Sequence, residues 1–130
     1  MTRKLLVADD NQAILQVLRS QLSGRPDIGV YEEAVDGHEA LQKGLSMRPD
    51  VAILDLRMPK LNGIEVAKLL KESIPKMKVI IFTMYEDHLG HALTLAAGVH
   101  LILPKPAGLA ALQQALDALL NESGSAKNPE

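Results

Sequence analysis

The chain is 130 residues long, one domain's worth, and nearly half apolar yet almost without aromatics: no Trp, two Tyr and one Phe. A net charge of −2 gives no electrostatic case for binding nucleic acid or an anionic membrane, and the absence of cysteine excludes disulfides, thiolate catalysis and cysteine-bound metal. Met1-Thr2-Arg3-Lys4 runs straight into an apolar stretch with no long hydrophobic segment or small-residue cleavage site, so a cytoplasmic protein, neither secreted nor membrane-spanning, is expected.

Strand-like and helix-like segments alternate along the chain. The first apolar run, Lys4-Leu5-Leu6-Val7-Ala8, ends in the acidic pair Asp9-Asp10. From Asn11 to Leu22, Ile14, Leu15, Leu18 and Leu22 fall on one stripe at helical spacing, and Gly24, Pro26 and Asp27 break it. A weaker strand follows over 29–34, where Tyr31, Glu32 and Glu33 mark a sheet edge. Asp36-Gly37 opens a second helix with Ala40, Leu41, Gly44 and Leu45 on its buried face, stopped by Arg48-Pro49-Asp50. The third run, Val51-Ala52-Ile53-Leu54, ends in Asp55; Pro59 and Gly63 sit in the next loop, and Asn62 caps a helix that continues to about Ser73. Val79-Ile80-Ile81-Phe82 ends in Thr83. A fourth helix is expected over 86–97, packing Leu89, Ala92, Leu93 and Ala96, with Gly98 as terminator. The last run, Leu101-Ile102-Leu103-Pro104, leads to Lys105-Pro106, and Leu109, Leu112, Leu116, Leu119 and Leu120 stripe a fifth helix. The polar residues beyond it are expected to form a disordered tail or linker remnant (122–130) after a domain spanning 1–121.

Five βα units predict a flavodoxin-like α/β fold, a doubly wound five-stranded parallel sheet of order 2-1-3-4-5 with five helices and right-handed crossovers. The first and third strands then flank the topological switch point, and ligands bind at the carboxyl edge of such a sheet. Asp9, Asp10, Asp55, Thr83 and Lys105 all stand at that edge. Asp10 and Asp55 suit oxygen ligation of Mg²⁺, with Asp9 holding a bound water or ligating less directly. Mutual repulsion among the three should raise at least one pKa when no cation is present. Asp55, on a central strand, is placed to accept a phosphoryl group as a nucleophile, with Lys105 neutralising phosphoryl oxygens opposite the Mg²⁺ and Thr83 donating a hydrogen bond. A lone strand-end Asp is commonly a helix cap, and a lone Lys or Thr is unremarkable; the matched placement of all five favours one site.

These motifs resemble the receiver domain of two-component response regulators, across about Lys4 to Leu120. The residues that carry the resemblance are Val7-Ala8-Asp9-Asp10, Asp55-Leu56-Arg57-Met58-Pro59 followed by Asn62-Gly63, Phe82-Thr83-Met84, and Lys105-Pro106. The resemblance implies phosphorelay signalling: Asp55 as phospho-acceptor, and Mg²⁺ held by Asp10, Asp55 and the Arg57 backbone carbonyl with Asp9 nearby. It further implies a phosphate-sensing role for Thr83, the family's lysine in Lys105, and a cis Lys105–Pro106 peptide. Such a domain catalyses only its own phosphorylation and dephosphorylation. It docks a sensor histidine kinase or phosphotransfer protein through the first helix (here Asn11, Ala13, Ile14 and Val17), and presents helix four, strand five and helix five to an output domain or a second copy. Val17 lies roughly 60° off the buried stripe, as a docking residue would, and Leu95 is similarly off-stripe on helix four.

One departure stands out. The family's strand-five aromatic, three residues before the lysine, is Ile102 here. Tyr85 is a candidate stand-in, though an exposed loop tyrosine without a switching role is the plainer reading. Pro104 stiffens the approach to Lys105, and His88, His91 and His100 read as surface residues. A flavodoxin-type carrier shares the fold but wants a Ser/Thr/Gly-rich phosphate loop and flavin-stacking aromatics, where this chain has Asp9-Asp10-Asn11-Gln12. A haloacid-dehalogenase-like phosphatase wants a second acid where Arg57 stands. No DNA-binding helix-turn-helix follows the fifth helix, which leaves a stand-alone receiver and a piece of a longer regulator as alternatives.

Overall fold

The apolar runs pair into one five-stranded parallel sheet of order β2-β1-β3-β4-β5, formed by β1 (Arg3–Ala8), β2 (Ile28–Ala34), β3 (Val51–Leu54), β4 (Lys78–Thr83) and β5 (Leu101–Pro104). A computed structural model of the chain describes residues 2–84 and 97–125, with side chains to residue 121. The helices are α1 (Gln12–Leu22), α2 (Gly37–Met47), α3 (Gly63–Ser73) and the C-terminal α4 (Gly108–Ser125), which a 3₁₀ turn at Lys105–Ala107 precedes. The helix expected over 86–97 lies, apart from Ala97, outside the described residues; so do Tyr85, His88, His91 and Leu95.

Alternation along each strand builds a core on both faces of the sheet. Leu5, Val7, Val51, Ile53, Ile80 and Phe82 point to one side, where Leu15, Leu18 and Leu22 of α1 and Leu112, Leu116 and Leu120 of α4 cover them. Leu6, Ala8, Ala52, Leu54, Val79 and Ile81 point to the other, against Ala40 of α2 and Val66, Ala67 and Leu70 of α3. The near absence of aromatics is met by Leu and Ile on the first face and by alanines that bring α2 and α3 close on the second. Among the described residues no helix is long and apolar enough to cross a membrane.

Local chemistry sets the helix starts. The Asn11 side chain accepts from the Ala13 and Ile14 amides, Asp36 accepts from the Glu39 amide, and Asn62 and Glu65 form a reciprocal capping box. Arg48, at φ 51°, closes α2 in the left-handed conformation immediately before Pro49.

The structure corrects three sequence expectations. Leu45, expected on the buried face of α2, is 44% exposed. The helical stripe drifts around the axis, and Ala40 and Gly44 turn α2 so that its small residues meet α3, leaving Leu45 outward. Helix α4 runs through Ser125 rather than ending near 121: no proline interrupts it, and one glycine near its end costs only about 1 kcal/mol. The Lys105–Pro106 peptide is trans, since no cis bond occurs among the described residues; Pro106 sits in the first positions of the 3₁₀ turn, where a trans proline fits without loss.

These placements separate two leucines of similar sequence context. Leu70→Ala should lower stability by about 2–5 kcal/mol in urea unfolding, because its buried side chain fills the α2–α3 interface, whereas Leu45→Ala should change it by about 0.5 kcal/mol or less.

Candidate functional site

Adjacent strands deliver the acidic residues. β1 and β3 are in register through Ala8 and Leu54, so Asp9 and Asp55 leave the sheet side by side. Their backbones are fixed by neighbours: the Asp55 amide donates to the Ala8 carbonyl at 2.9 Å, and the Asp9 amide donates to the Ala34 carbonyl at 3.1 Å. One carboxylate oxygen from each of Asp9, Asp10 and Asp55 lies within 4.8 Å of the others. Asp9 and Asp55 are only 2% and 7% exposed, while Asp10 faces solvent. Thr83, fully buried, ends β4 opposite Pro104 of β5, and Lys105 follows directly.

Lys105 reaches back across the sheet edge. Its Nζ stands 2.7 Å from Asp9 Oδ2 and 3.3 Å from Asp55 Oδ2. Asp9 Oδ1 meanwhile accepts the Asn11 amide at 2.9 Å, so both oxygens of Asp9 are engaged. Asp55 differs: its Oδ1 is buried without a hydrogen-bond partner. Such an orphaned acceptor costs about 1–3 kcal/mol or more when charged, and here it belongs to a carboxylate of the three-acid cluster.

Electrostatics follow from this asymmetry. The Asp55 carboxyl is pushed above the usual carboxylate range, first by burial and then by the charge of Asp9, while Lys105 and the Thr83 hydroxyl pull it partly back. The upward direction agrees with the sequence expectation, but burial rather than repulsion is the larger cause. For the Lys105 ammonium, burial works downward; the hydrogen bond and charge of Asp9, joined by Asp55, outweigh it and hold the group above its ordinary value. Two buried carboxylates thus share one ammonium, with the exposed Asp10 beside them. The donor set is hard and wholly of oxygen, the kind taken by divalent cations such as Mg²⁺, and the unpaired Asp55 Oδ1 fits that use.

The loop after Asp55 closes tightly. The Gly63 amide donates to the Leu56 carbonyl at 2.9 Å, and a Cβ at Gly63 would overlap the Asp55 carbonyl oxygen, so α3 begins against the backbone of Asp55 itself. Arg57 is exposed in this loop. The structure therefore brings Asp9, Asp10, Asp55, Thr83 and Lys105 to one crevice, with Arg57 on its loop.

The candidate docking residues stand nearby. Asn11 and Ala13 are exposed at the start of α1, and Val17 is 46% exposed. Ile14 and Val17 line a cavity of about 130 Å³ together with Phe82, Lys105 and Leu109. Ile102 is half-buried and packs into the α2–α3 side of the core. His100, expected as a plain surface residue, is exposed but also accepts the Val79 amide through Nδ1 at 3.2 Å. Sequence reading missed the Asn11 amide on Asp9 and the Asp9–Lys105 pair; backbone amides carry no sequence signal, and the ion pair joins residues that only the strand order brings together.

Comparison with known proteins agrees with this geometry. The model of the response regulator receiver domain matches residues 5–117. The protein-glutamate methylesterase/protein-glutamine glutaminase of Thermotoga maritima is 34% identical, over 96% of this chain and 37% of that protein. Response regulator MprA of Mycobacterium ulcerans is 35% identical, over 95% of this chain and 52% of that protein. The chain thus spans from about a third to a half of the length of these curated relatives. In structure, the REC domain of AraT, a response regulator from Geobacillus stearothermophilus, superposes with a TM-score of 0.87 at 28% identity, covering 98% of this chain and 99% of that one. A sheet of this order, an acid crevice at its carboxyl edge and a match across nearly the whole chain lead to one assignment: the chain belongs to the response regulator receiver domain family.

Proposed function

We propose that Asp55 accepts a phosphoryl group from the phosphohistidine of a sensor kinase or phosphotransfer protein, in a reaction supported by Mg²⁺. The observation that carries this reading is the split environment of Asp55: one oxygen held by Lys105, the other buried, unpaired and among carboxylates. Asp10, Asp55 and the Arg57 backbone carbonyl would hold the cation, with Asp9 behind them. When bound, Mg²⁺ supplies charge neutralisation at the phosphoryl oxygens.

The chain's own residues do the rest. The Asp55 carboxylate attacks phosphorus, a P–O bond forms as the P–N bond to histidine breaks, and the imidazole leaves with the bonding electron pair. Lys105, already positioned by Asp9, follows the negative charge from the Asp55 carboxylate to the transferred group. The Thr83 hydroxyl donates to a phosphoryl oxygen. Hydrolysis of the acyl phosphate returns the free carboxylate, so the domain catalyses its own phosphorylation and dephosphorylation.

The donor docks on α1 through Asn11, Ala13, Ile14 and Val17, where the small cavity beside Lys105 takes an apolar side chain next to the reacting centre. The modified state is read at the segment of residues 86–97, β5 and α4, by an output domain or a second copy, in the cytoplasm. Because an aliphatic Ile102, half-buried against the core, stands where the family's aromatic would, the response is carried by the segment after Thr83 rather than by a side-chain flip on β5.

Acetyl phosphate with Mg²⁺ should add one phosphoryl group, seen by intact mass, and Asp55→Asn should abolish it; labelling that survives would place the nucleophile elsewhere. A raised carboxyl pKa means that the folded state binds the proton more tightly than the unfolded chain does, so Asp55 weakens stability as pH rises from below the unfolded value through the folded one. Metal-free Asp55→Asn should therefore melt above the unaltered protein at pH 7, with the gap closing towards pH 4 in thermal scans. Beryllofluoride should shift amide resonances after Thr83 more than those of 101–104; a large β5 rearrangement would contradict the Ile102 reading.

A further inference from the structure

The link between β2 and α2 carries none of the three carboxylates of the site, yet it touches both halves of the crevice. The Ala34 carbonyl accepts the Asp9 amide at 3.1 Å, and three residues on, the Gly37 amide donates to the Pro59 carbonyl at 3.1 Å. Gly37 is buried, and a Cβ there would overlap the carbonyl oxygen and Cβ of Leu61. The Pro59 carbonyl also accepts the Leu61 amide at 2.9 Å, so the turn folds around the very oxygen that Gly37 grips. At its tip Lys60 adopts a left-handed φ of 77°, and its ammonium lies 3.7 Å from Oδ2 of Asp36, the residue that caps α2. The far end of the same loop is pinned by Gly63 against the Asp55 carbonyl. The loop of residues 55–62, which presents the Arg57 carbonyl, is thus gripped by backbone contacts at both ends, and one grip comes from a separate element.

We propose that residues 34–37 form a positioning bridge for the acidic site, with Gly37 its positioning residue. The bridge fixes the span between the Asp9–Asp10 corner and the loop bearing the Arg57 carbonyl, and so sets the affinity for the divalent cation; it rests on the cation site proposed above. The physical reason is the narrow tolerance of Mg²⁺, which demands near-octahedral oxygens at about 2.0–2.1 Å. A carbonyl presented by a loop meets that demand only if the loop is held from outside, and groups that orient ligands typically change metal affinity about 10–100-fold. Any side chain at Gly37 pushes against backbone, which cannot rotate away.

Mg²⁺ alone, titrated by calorimetry into the unaltered chain, Gly37→Ala and Gly44→Ala, tests the bridge. Gly44 is also buried on α2, but its added Cβ would meet the Leu70 methyl carbons at 2.7 Å instead of the loop. Gly37→Ala should weaken Mg²⁺ binding tenfold or more with an unchanged circular dichroism spectrum, while Gly44→Ala lowers the melting point and keeps the Kd within twofold. Unchanged affinity in Gly37→Ala overturns the bridge, as does equal weakening in both variants. If Gly37→Ala does not fold, Lys60→Gly decides: it removes the Asp36 contact while suiting the positive φ, and weakening beyond twofold supports the bridge, whereas unchanged affinity overturns it. No binding by the unaltered chain overturns the cation reading itself and the bridge with it.

Discussion

One ammonium shared between two buried carboxylates is the constraint on which the rest of the structure depends. Lys105 belongs to the last strand–helix junction, Asp9 to the first, and Asp55 to the one between. Their meeting requires that β1 and β3 be neighbours and that β4 and β5 continue the sheet on the same side. With the Asn11 amide on Asp9 Oδ1, the contact leaves both oxygens of Asp9 engaged but only one of Asp55. What remains on Asp55 is a buried oxygen with negative charge around it. In a domain built only for stability this would be a defect. In the proposed phosphoryl transfer it is the reactive centre, in line with the general trade between stability and function at such sites.

Much of this was legible in the sequence because strand ends are easy to read. Runs such as Val51-Ala52-Ile53-Leu54 and Val79-Ile80-Ile81-Phe82 are too apolar and too short for surface helices, and the residue that closes each run must stand at the sheet edge. Alternation with helical stripes then argues for parallel strands, and the polar second strand beside the apolar third and fourth suits the order that brings Asp9, Asp10 and Asp55 together. The cap at Asn62 was equally legible, since a short polar side chain ahead of an apolar stripe has few other uses, and Asn11 and Asp36 prove to cap α1 and α2 in the same way.

The remainder was hidden for physical reasons. The Lys105–Asp9 pair spans most of the chain, and local patterning reports burial, not partners. Leu45 matched the stripe of α2, but a helix packs on the side that approaches closest, and the small Ala40 and Gly44 chose that side. The end of α4 was set by the absence of a strong breaker, a weak signal compared with the presence of one. The grip of Gly37 on the 59–61 turn is a contact between backbones, and only the missing Cβ hints at it. Ile102 shows the reverse case: its departure from the family was plain in the sequence, whereas its placement, half-buried against the core, needed the fold.

The central claim is that Asp55 sits in an electrostatic environment left incomplete until a cation joins it. A carbon-13 titration of the Asp55 carboxyl, with and without Mg²⁺, measures this directly. A metal-free carboxyl that titrates above an ordinary aspartate and falls well below it once Mg²⁺ is added is the expected result. A metal-free value at or below the ordinary one, unmoved by Mg²⁺, would contradict it.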